Sequence, residues 1–216
     1  MATRIALFGG SFNPIHLGHL IVARNIAEQL GLDRVIFLPS SRPPHKNGAA
    51  LAEGDHRGQM VRLAIAGEPL FELSDYDQNR PGPSYTIDTV SHFRQTLGLE
   101  IILYWIIGTD SLADLTTWYR VGALVDCCRI ITARRPGFRE VDWDRLRSRL
   151  SEDQIAILRA GVLDTPQIEI SATDIRRRVR EGKSIQYLVP EAVRQYIAEQ
   201  RLYQSPAAVD AHPAPS

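Results

Sequence analysis

Residues 4–19 read RIALFGGSFNPIHLGH, a short apolar run, two glycines, a Ser-Phe-Asn-Pro turn and two histidines three residues apart. An unbroken apolar run that stops at glycine is what a strand buried on both faces requires, so Arg4–Phe8 predicts a central strand. Glycines directly after a strand let backbone N–H groups approach an anion with no Cβ in the way. From His16 to Leu30 the apolar residues Ile21, Val22, Ile26 and Leu30 recur at helical spacing, and Gly31 supplies a C-terminal cap. A helix starting near His16 turns its positive end and free N–H groups to such an anion. His16 and His19 share one face of that helix. Strand, glycine turn and helix together form a cradle for a polyphosphate.

The same alternation continues outward. Strands are predicted at Arg34–Leu38, Phe71–Leu73, Ile101–Ile107, Arg129–Ala133 and Gln167–Ile170. Helices are predicted at Asp55–Ala66, Thr86–Leu97, Asp142–Leu150, Ala172–Glu181 and Pro190–Gln200, with loops at Ser40–Gly54 and Gln78–Ser84. Strands alternating with helices give an α/β class: a doubly wound, mainly parallel Rossmann-like sheet with helices on both faces and a small C-terminal helical portion. Residues 1–204 are read as one domain. Residues 205–216 (SPAAVDAHPAPS) have no apolar period and are expected to be a disordered tail. Ligands of such sheets sit beyond the carboxyl ends of the strands, which singles out the loops after Phe8, Leu38 and Ile107.

Composition narrows the class. In 216 residues, 25 Lys+Arg balance 25 Asp+Glu, and this zero charge argues against a general nucleic-acid binder. A hydrophobic share of 44% supports a real core and excludes a disordered chain. Lysine occurs only at Lys46 and Lys183, so a lysine in the polar loop after Leu38 stands out. Cys127 and Cys128 are adjacent, and Cα atoms about 3.8 Å apart are too close for the usual disulfide. With no signal-peptide pattern and no apolar run long enough to span a bilayer, the expected location is the cytoplasm. Two histidines alone make no zinc site, so no protein-held metal is expected. Core and interface residues look alike in sequence, so a homo-oligomer stays open.

Gly10-Ser-Phe12-Asn-Pro14-Ile-His16-Leu-Gly18-His19 resembles the Gly-x-Phe-x-Pro-x-His-x-Gly-His signature of the nucleotidyltransferase superfamily. Near the other end of the chain, Ile170-Ser-Ala-Thr173-Asp-Ile-Arg176 resembles that superfamily's Ile-Ser-x-Thr-x-x-Arg. Ser84-Tyr-Thr86-Ile-Asp88-Thr89, Gly108-Thr-Asp110-Ser, Trp118-Tyr119-Arg120 and Pro43-Pro-His45-Lys46 are similar to stretches of the bacterial nicotinate-nucleotide adenylyltransferases. The likeness runs from about residue 4 to 203.

That resemblance implies transfer of the adenylyl group of ATP to nicotinate mononucleotide, with pyrophosphate released. Gly9, Gly10, Ser11 and Phe12 would approach the ATP phosphates through backbone, with His16 and His19 donating where charge grows. Lys46 and Arg176 would neutralise the pyrophosphate, held also by Ser171 and Thr173. Gly108 and Asp110 would fix the adenosine side. Thr86, Trp118 and Tyr119 would frame the pyridine ring, and Arg134 would hold the mononucleotide's 5′-phosphate. Mg²⁺ would arrive bridging ATP oxygens.

Purely structural roles stand beside these. Ser171 and Asp174 fit a capping-box-like helix start, Asp110 fits a helix cap, Trp118 and Tyr119 fit a core, and Arg134 fits a surface turn. His92 is read onto a solvated helix face. Another phosphate acceptor (nicotinamide mononucleotide or phosphopantetheine) and a non-catalytic ATP-binding module are the alternative functions.

Overall fold

The apolar run at residue 4 forms strand β1 (Arg4–Gly10), whose alternate side chains enter opposite cores. Ile5 and Leu7 face one, Ala6 and Phe8 the other. The computed structural model describes residues 2–40, 52–80, 82–134 and 141–204. β2 (Arg34–Pro39), β3 (Phe71–Leu73), β4 (Ile102–Gly108), β5 (Arg129–Arg134) and β6 (Val162–Asp164) join β1 in the order β3-β2-β1-β4-β5-β6. Every pairing among them is parallel, with Leu7 opposite both Ile36 and Trp105. The order reverses beside β1, so the carboxyl ends of β1 and β4 open a crevice between diverging connections.

Two-sided burial explains the unbroken apolar runs. One face is covered by α1 (Leu17–Leu30), α2 (Gly54–Ile65), α9 (Ala172–Arg180) and α10 (Glu191–Glu199), through residues such as Ile26, Met60, Ile175 and Val193. The other is covered by α4 (Thr86–Leu97), α5 (Thr109–Ala113), α6 (Val121–Cys127), α7 (Trp143–Arg147) and α8 (Glu152–Ala160), through Val90, Leu112, Leu124, Leu146 and Leu158. A short helix, α3 (Tyr76–Asn79), lies before α4 and takes in Gln78 and Asn79, which the sequence pattern assigns to a loop. Each fully buried Leu or Ile contributes about 1.5–3 kcal/mol, so these anchors outweigh the exposed ion pairs. No described helix is long and apolar enough to cross a membrane. Both cysteines are free thiols, and burial pushes the Cys128 thiol up to about 12.

The sheet's last strand differs from the expectation. Gln167–Ile170 joins no ladder. The sixth strand is instead Val162–Asp164, with Val162 opposite Thr132. Ahead of it, Ser151 and Gln154 form a reciprocal capping box that starts α8. That helix ends at Gly161, leaving the chain already beside β5. Pro166 then lacks the N–H a ladder needs. The alternation of Ile168 and Ile170 records packing instead, since Ile168 lies against Gly18 of α1 and Ile170 against the first core. The helix expected over Asp142–Leu150 contracts to α7. His92 is half-buried, its ring stacked on Tyr76 at 3.8 Å, so the solvated face expected there is covered. The loop 40–54 and the tail 205–216 fall mostly or wholly outside the described residues, although Gly54 already belongs to α2.

Gly161 sits where a Cβ would lie 2.1 Å from the Ile130 carbonyl oxygen. Its own carbonyl accepts from the Thr132 N–H at 2.9 Å, so the backbone is pinned on both sides. Gly161→Ala is expected to lower stability by on the order of 3 kcal/mol, read from urea unfolding. A variant as stable as the parent would show that this contact is not tight.

Candidate active site

The glycine turn closes β1 against β4. A Cβ on Gly9 would lie 2.6 Å from the Trp105 ring, so the close approach itself selects glycine. Phe12 then takes a left-handed conformation (φ 42°) and buries its ring edge-on to Phe8 and His19, at 5.7 and 5.2 Å. Its side chain belongs to the core, which leaves only its backbone for a ligand. His16 is the N-cap of α1, and its N–H donates to His19 Nδ1 at 3.2 Å. The two rings stack with centroids 3.7 Å apart. A nitrogen that accepts from backbone carries no proton, so in this contact Nε2 is the ring nitrogen of His19 that can donate.

The downstream motif reaches the same loop. Ser171 Oγ accepts the Asp174 N–H at 3.1 Å and caps α9, while the Asp174 carboxylate pairs with Arg177. Asp is one methylene short of the Glu or Gln that usually closes a capping box, and the reciprocal bond expected from sequence gives way to this ion pair. One turn on, Arg176 donates to the Asn13 carbonyl at 2.7 Å and to Thr173 Oγ1 at 3.3 Å. Burial pulls the Arg176 pKa down from the usual arginine range. Ser171 and Thr173 accept these bonds through oxygen lone pairs, which leaves their hydroxyl protons to donate.

A cavity of about 570 Å³ opens beyond β1 and β4. Gly9, Gly10, Ser11, Thr86, Gly108, Trp118 and Tyr119 all line it. Thr86 opens α4, while Trp118 and Tyr119 follow the 3-10 turn Leu115–Thr117. Trp118 also packs on the second core, so its structural and site roles coincide. Tyr119 is over half exposed and meets the Tyr85 ring at 4.7 Å. Asp110 is exposed in the first turn of α5, whose cap is Gly108, so it is not the helix cap. His16, His19 and Arg176 are not part of this wall; they adjoin it through the Gly9–Asn13 loop. Arg134 stands apart from it, exposed at the end of β5, with Nε donating to Asp164 at 2.6 Å. Lys46 lies outside the described residues.

Two cations of the wall carry no role in the sequence reading: Arg120 and Arg149. Arg120 directly follows the Trp-Tyr pair, which is its signal; Arg149, just beyond α7, has none. Among the described residues, no three His, Cys, Asp or Glu come together as a metal site. The wall's single carboxyl among those residues is Asp77, buried and accepting from Thr89 Oγ1 at 2.6 Å. Burial pushes Asp77 above the usual aspartate range, against the lowering effect of the Thr89 bond and of Arg80.

A raised carboxyl pKa means that ionising Asp77 costs the folded state stability. That cost is absent below the ordinary aspartate pKa and grows as pH rises towards the raised value. Asp77→Asn is therefore expected to raise Tm at neutral pH, with the gain shrinking to nothing in acid. An equal Tm difference at pH 3 and pH 8 would contradict this.

The comparisons with known proteins agree with this geometry. A cytidylyltransferase-like family model matches residues 7–178. A probable nicotinate-nucleotide adenylyltransferase of Moorella thermoacetica is 42% identical over 201 residues, covering 93% of this chain and 92% of the relative. One of Thermomicrobium roseum is 41% identical over 203 residues, covering 94% and 92%. Among solved structures, a Plasmodium falciparum nicotinic acid mononucleotide adenylyltransferase complexed with NaAD superposes with a TM-score of 0.73. At 20% identity, covering 93% of this chain and 97% of that one, it speaks for the fold. With both signature motifs meeting at one crevice and relatives aligned along almost the whole chain, this protein belongs to the cytidylyltransferase-like family, among the nicotinate-nucleotide adenylyltransferases.

Proposed function

We propose that the chain joins the adenylyl group of ATP to nicotinate mononucleotide, giving nicotinate adenine dinucleotide and pyrophosphate. The observation that carries this is the bond from Arg176 to the Asn13 carbonyl, which sets the downstream guanidinium on the histidine-bearing loop beside a nucleotide-sized cavity. A phosphate oxygen of the mononucleotide attacks the α-phosphorus of ATP. The new P–O bond forms as the bond to the β-phosphate oxygen breaks, and pyrophosphate carries away the electron pair. The nucleophile belongs to the substrate, so the protein's task is to align two nucleotides and to stabilise charge.

Alignment supplies the largest share, on the order of 7–11 kcal/mol. The Gly9–Phe12 backbone, His16 and the His19 Nε2–H take the triphosphate, with Arg176 and Lys46 on the departing pyrophosphate and Ser171 and Thr173 donating to its oxygens. Gly108 and Asp110 hold the adenosine. Thr86 and the ring faces of Trp118 and Tyr119 frame the pyridine. Arg134 serves the 5′-phosphate once it leaves Asp164, and Arg120 and Arg149, already in the wall, add positive charge there. Mg²⁺ is part of the substrate MgATP, bound mainly by phosphate oxygens and water. The expected setting is the cytoplasm.

His19→Ala is expected to lower kcat by about a hundredfold or more, as loss of one transition-state donor should. Affinity for the mononucleotide should change little. Retained turnover with collapsed mononucleotide affinity would contradict the role. Pyrophosphate release with MgATP and nicotinate mononucleotide, nicotinamide mononucleotide or phosphopantetheine tests the acceptor. The nicotinate compound should be preferred; release with phosphopantetheine alone, or with none, would overturn the assignment.

A further inference from the structure

Arg57 is a cation that the reaction above does not use. It lies on α2, is 1% exposed, and is the largest fully buried side chain among the described residues. Its partners include three backbone carbonyls from three segments. One guanidinium nitrogen donates to Ser11 at 2.9 Å and to Ser40 at 2.6 Å, and Nε donates to Ala52 at 3.1 Å. Ser11 follows β1, Ser40 follows β2, and Ala52 precedes α2, so the planar fork of one arginine ties together the segments around the crevice.

Three carbonyls of the glycine loop are taken by groups of the protein. Gly10 accepts from the Ser40 N–H at 2.9 Å, Ser11 from Arg57, and Asn13 from Arg176. In a planar trans peptide the carbonyl of one residue and the N–H of the next point opposite ways. Drawing the Gly10 and Ser11 carbonyls inward therefore turns the N–H groups of Ser11 and Phe12 outward, to the side where phosphate is expected. The loop's remaining freedom is taken up at Asn13, which is 2% exposed. Its Oδ1 accepts from the Ala52 N–H at 3.2 Å and from the Tyr203 hydroxyl at 2.7 Å. Tyr203 comes from the chain beyond α10, 190 residues away in sequence.

We propose that Arg57, backed by Tyr203 through Asn13, is a positioning residue that aims the backbone donors of the Gly9–Asn13 loop at the ATP phosphates. A residue needed only to fill this space would be apolar, because burying a guanidinium is costly unless its donors are used. The inference rests on the assignment of this loop to ATP. It does not depend on which mononucleotide accepts the adenylyl group.

The test uses the full chain and steady-state kinetics with MgATP and nicotinate mononucleotide varied separately, alongside thermal melts. Lysine keeps the charge but offers one nitrogen where arginine spans three carbonyls. Arg57→Lys is expected to lower kcat/KM for ATP by roughly tenfold or more, the effect of losing a hydrogen bond to a charged group. Tyr203→Phe removes one neutral donor and should lower it roughly threefold. The KM for nicotinate mononucleotide should stay within about twofold in both, since the cavity wall at Thr86, Trp118 and Tyr119 is untouched. Unchanged ATP kinetics in folded variants overturns the proposal, and so does a rise in the KM for nicotinate mononucleotide as large as the fall in kcat/KM for ATP. If Arg57→Lys fails to fold, Tyr203→Phe decides: wild-type ATP kinetics overturns, and a lower kcat/KM for ATP with the KM for nicotinate mononucleotide unchanged supports. His19→Ala run in parallel separates the two assignments. Should that variant retain full turnover, the loop's assignment to ATP is itself wrong; should it fail while Arg57→Lys and Tyr203→Phe behave as the parent, only the positioning role falls.

Discussion

A single hydrogen bond, from Arg176 to the carbonyl of Asn13, connects segments 163 residues apart and brings both signature motifs to one loop. It forms because α9 is anchored on the first core through Ile175, with Ser171 capping its start. Arg176 is the next residue round the helix, at the edge of that anchored face. Hydrophobic burial thus sets the position of the guanidinium, and the hydrogen bond sets its direction. Displacing α9 would separate the cation from the histidines whatever the state of the rest of the crevice.

The loop it meets is determined by packing on one side and polar contacts on the other. Gly9 must lack a side chain because the Trp105 ring occupies the space, and Phe12 turns back into the core. The Gly10, Ser11 and Asn13 carbonyls are then used internally, which turns the N–H groups of Ser11 and Phe12 the other way. On the proposed function, this would be the preorganisation that charge stabilisation needs, with donors held in place before charge develops. A flexible loop with the same residues would have to order itself at the moment of reaction.

Beyond the loop, the cavity presents a second kind of surface. Its wall combines aromatic rings with Arg120 and Arg149, and its buried carboxyl is one whose ionisation the fold disfavours. On the proposed function, this wall would meet the nicotinate ring with aromatic faces and positive charge. The exposed Tyr85 and Tyr119 rings stand in contact at the mouth, where a ligand would meet them first.

Local chemistry carried much of this in the sequence. The apolar runs ending at Gly10 and Gly108, the helical spacing from residue 17 to 30 and the Ser171 cap follow from neighbouring residues alone, and so does the α/β class. The capping box at Ser151 was equally legible and would have revealed α8. What neighbours could not convey is what lies across the sheet. An alternating Gln167–Ile170 looks like a strand until Val162 is seen to hold that edge, because side chains that pack alternately and a ladder strand share one sequence pattern. Arg149 reaches the cavity and Arg57 reaches three carbonyls only through packing of elements distant in the chain. The sequence by itself determined the elements, the glycine turn and the histidine pair, whose causes lie within a few residues; the tertiary structure alone decided which cations face the crevice and which way the loop's N–H groups point, because those depend on contacts that exist only once the sheet has assembled.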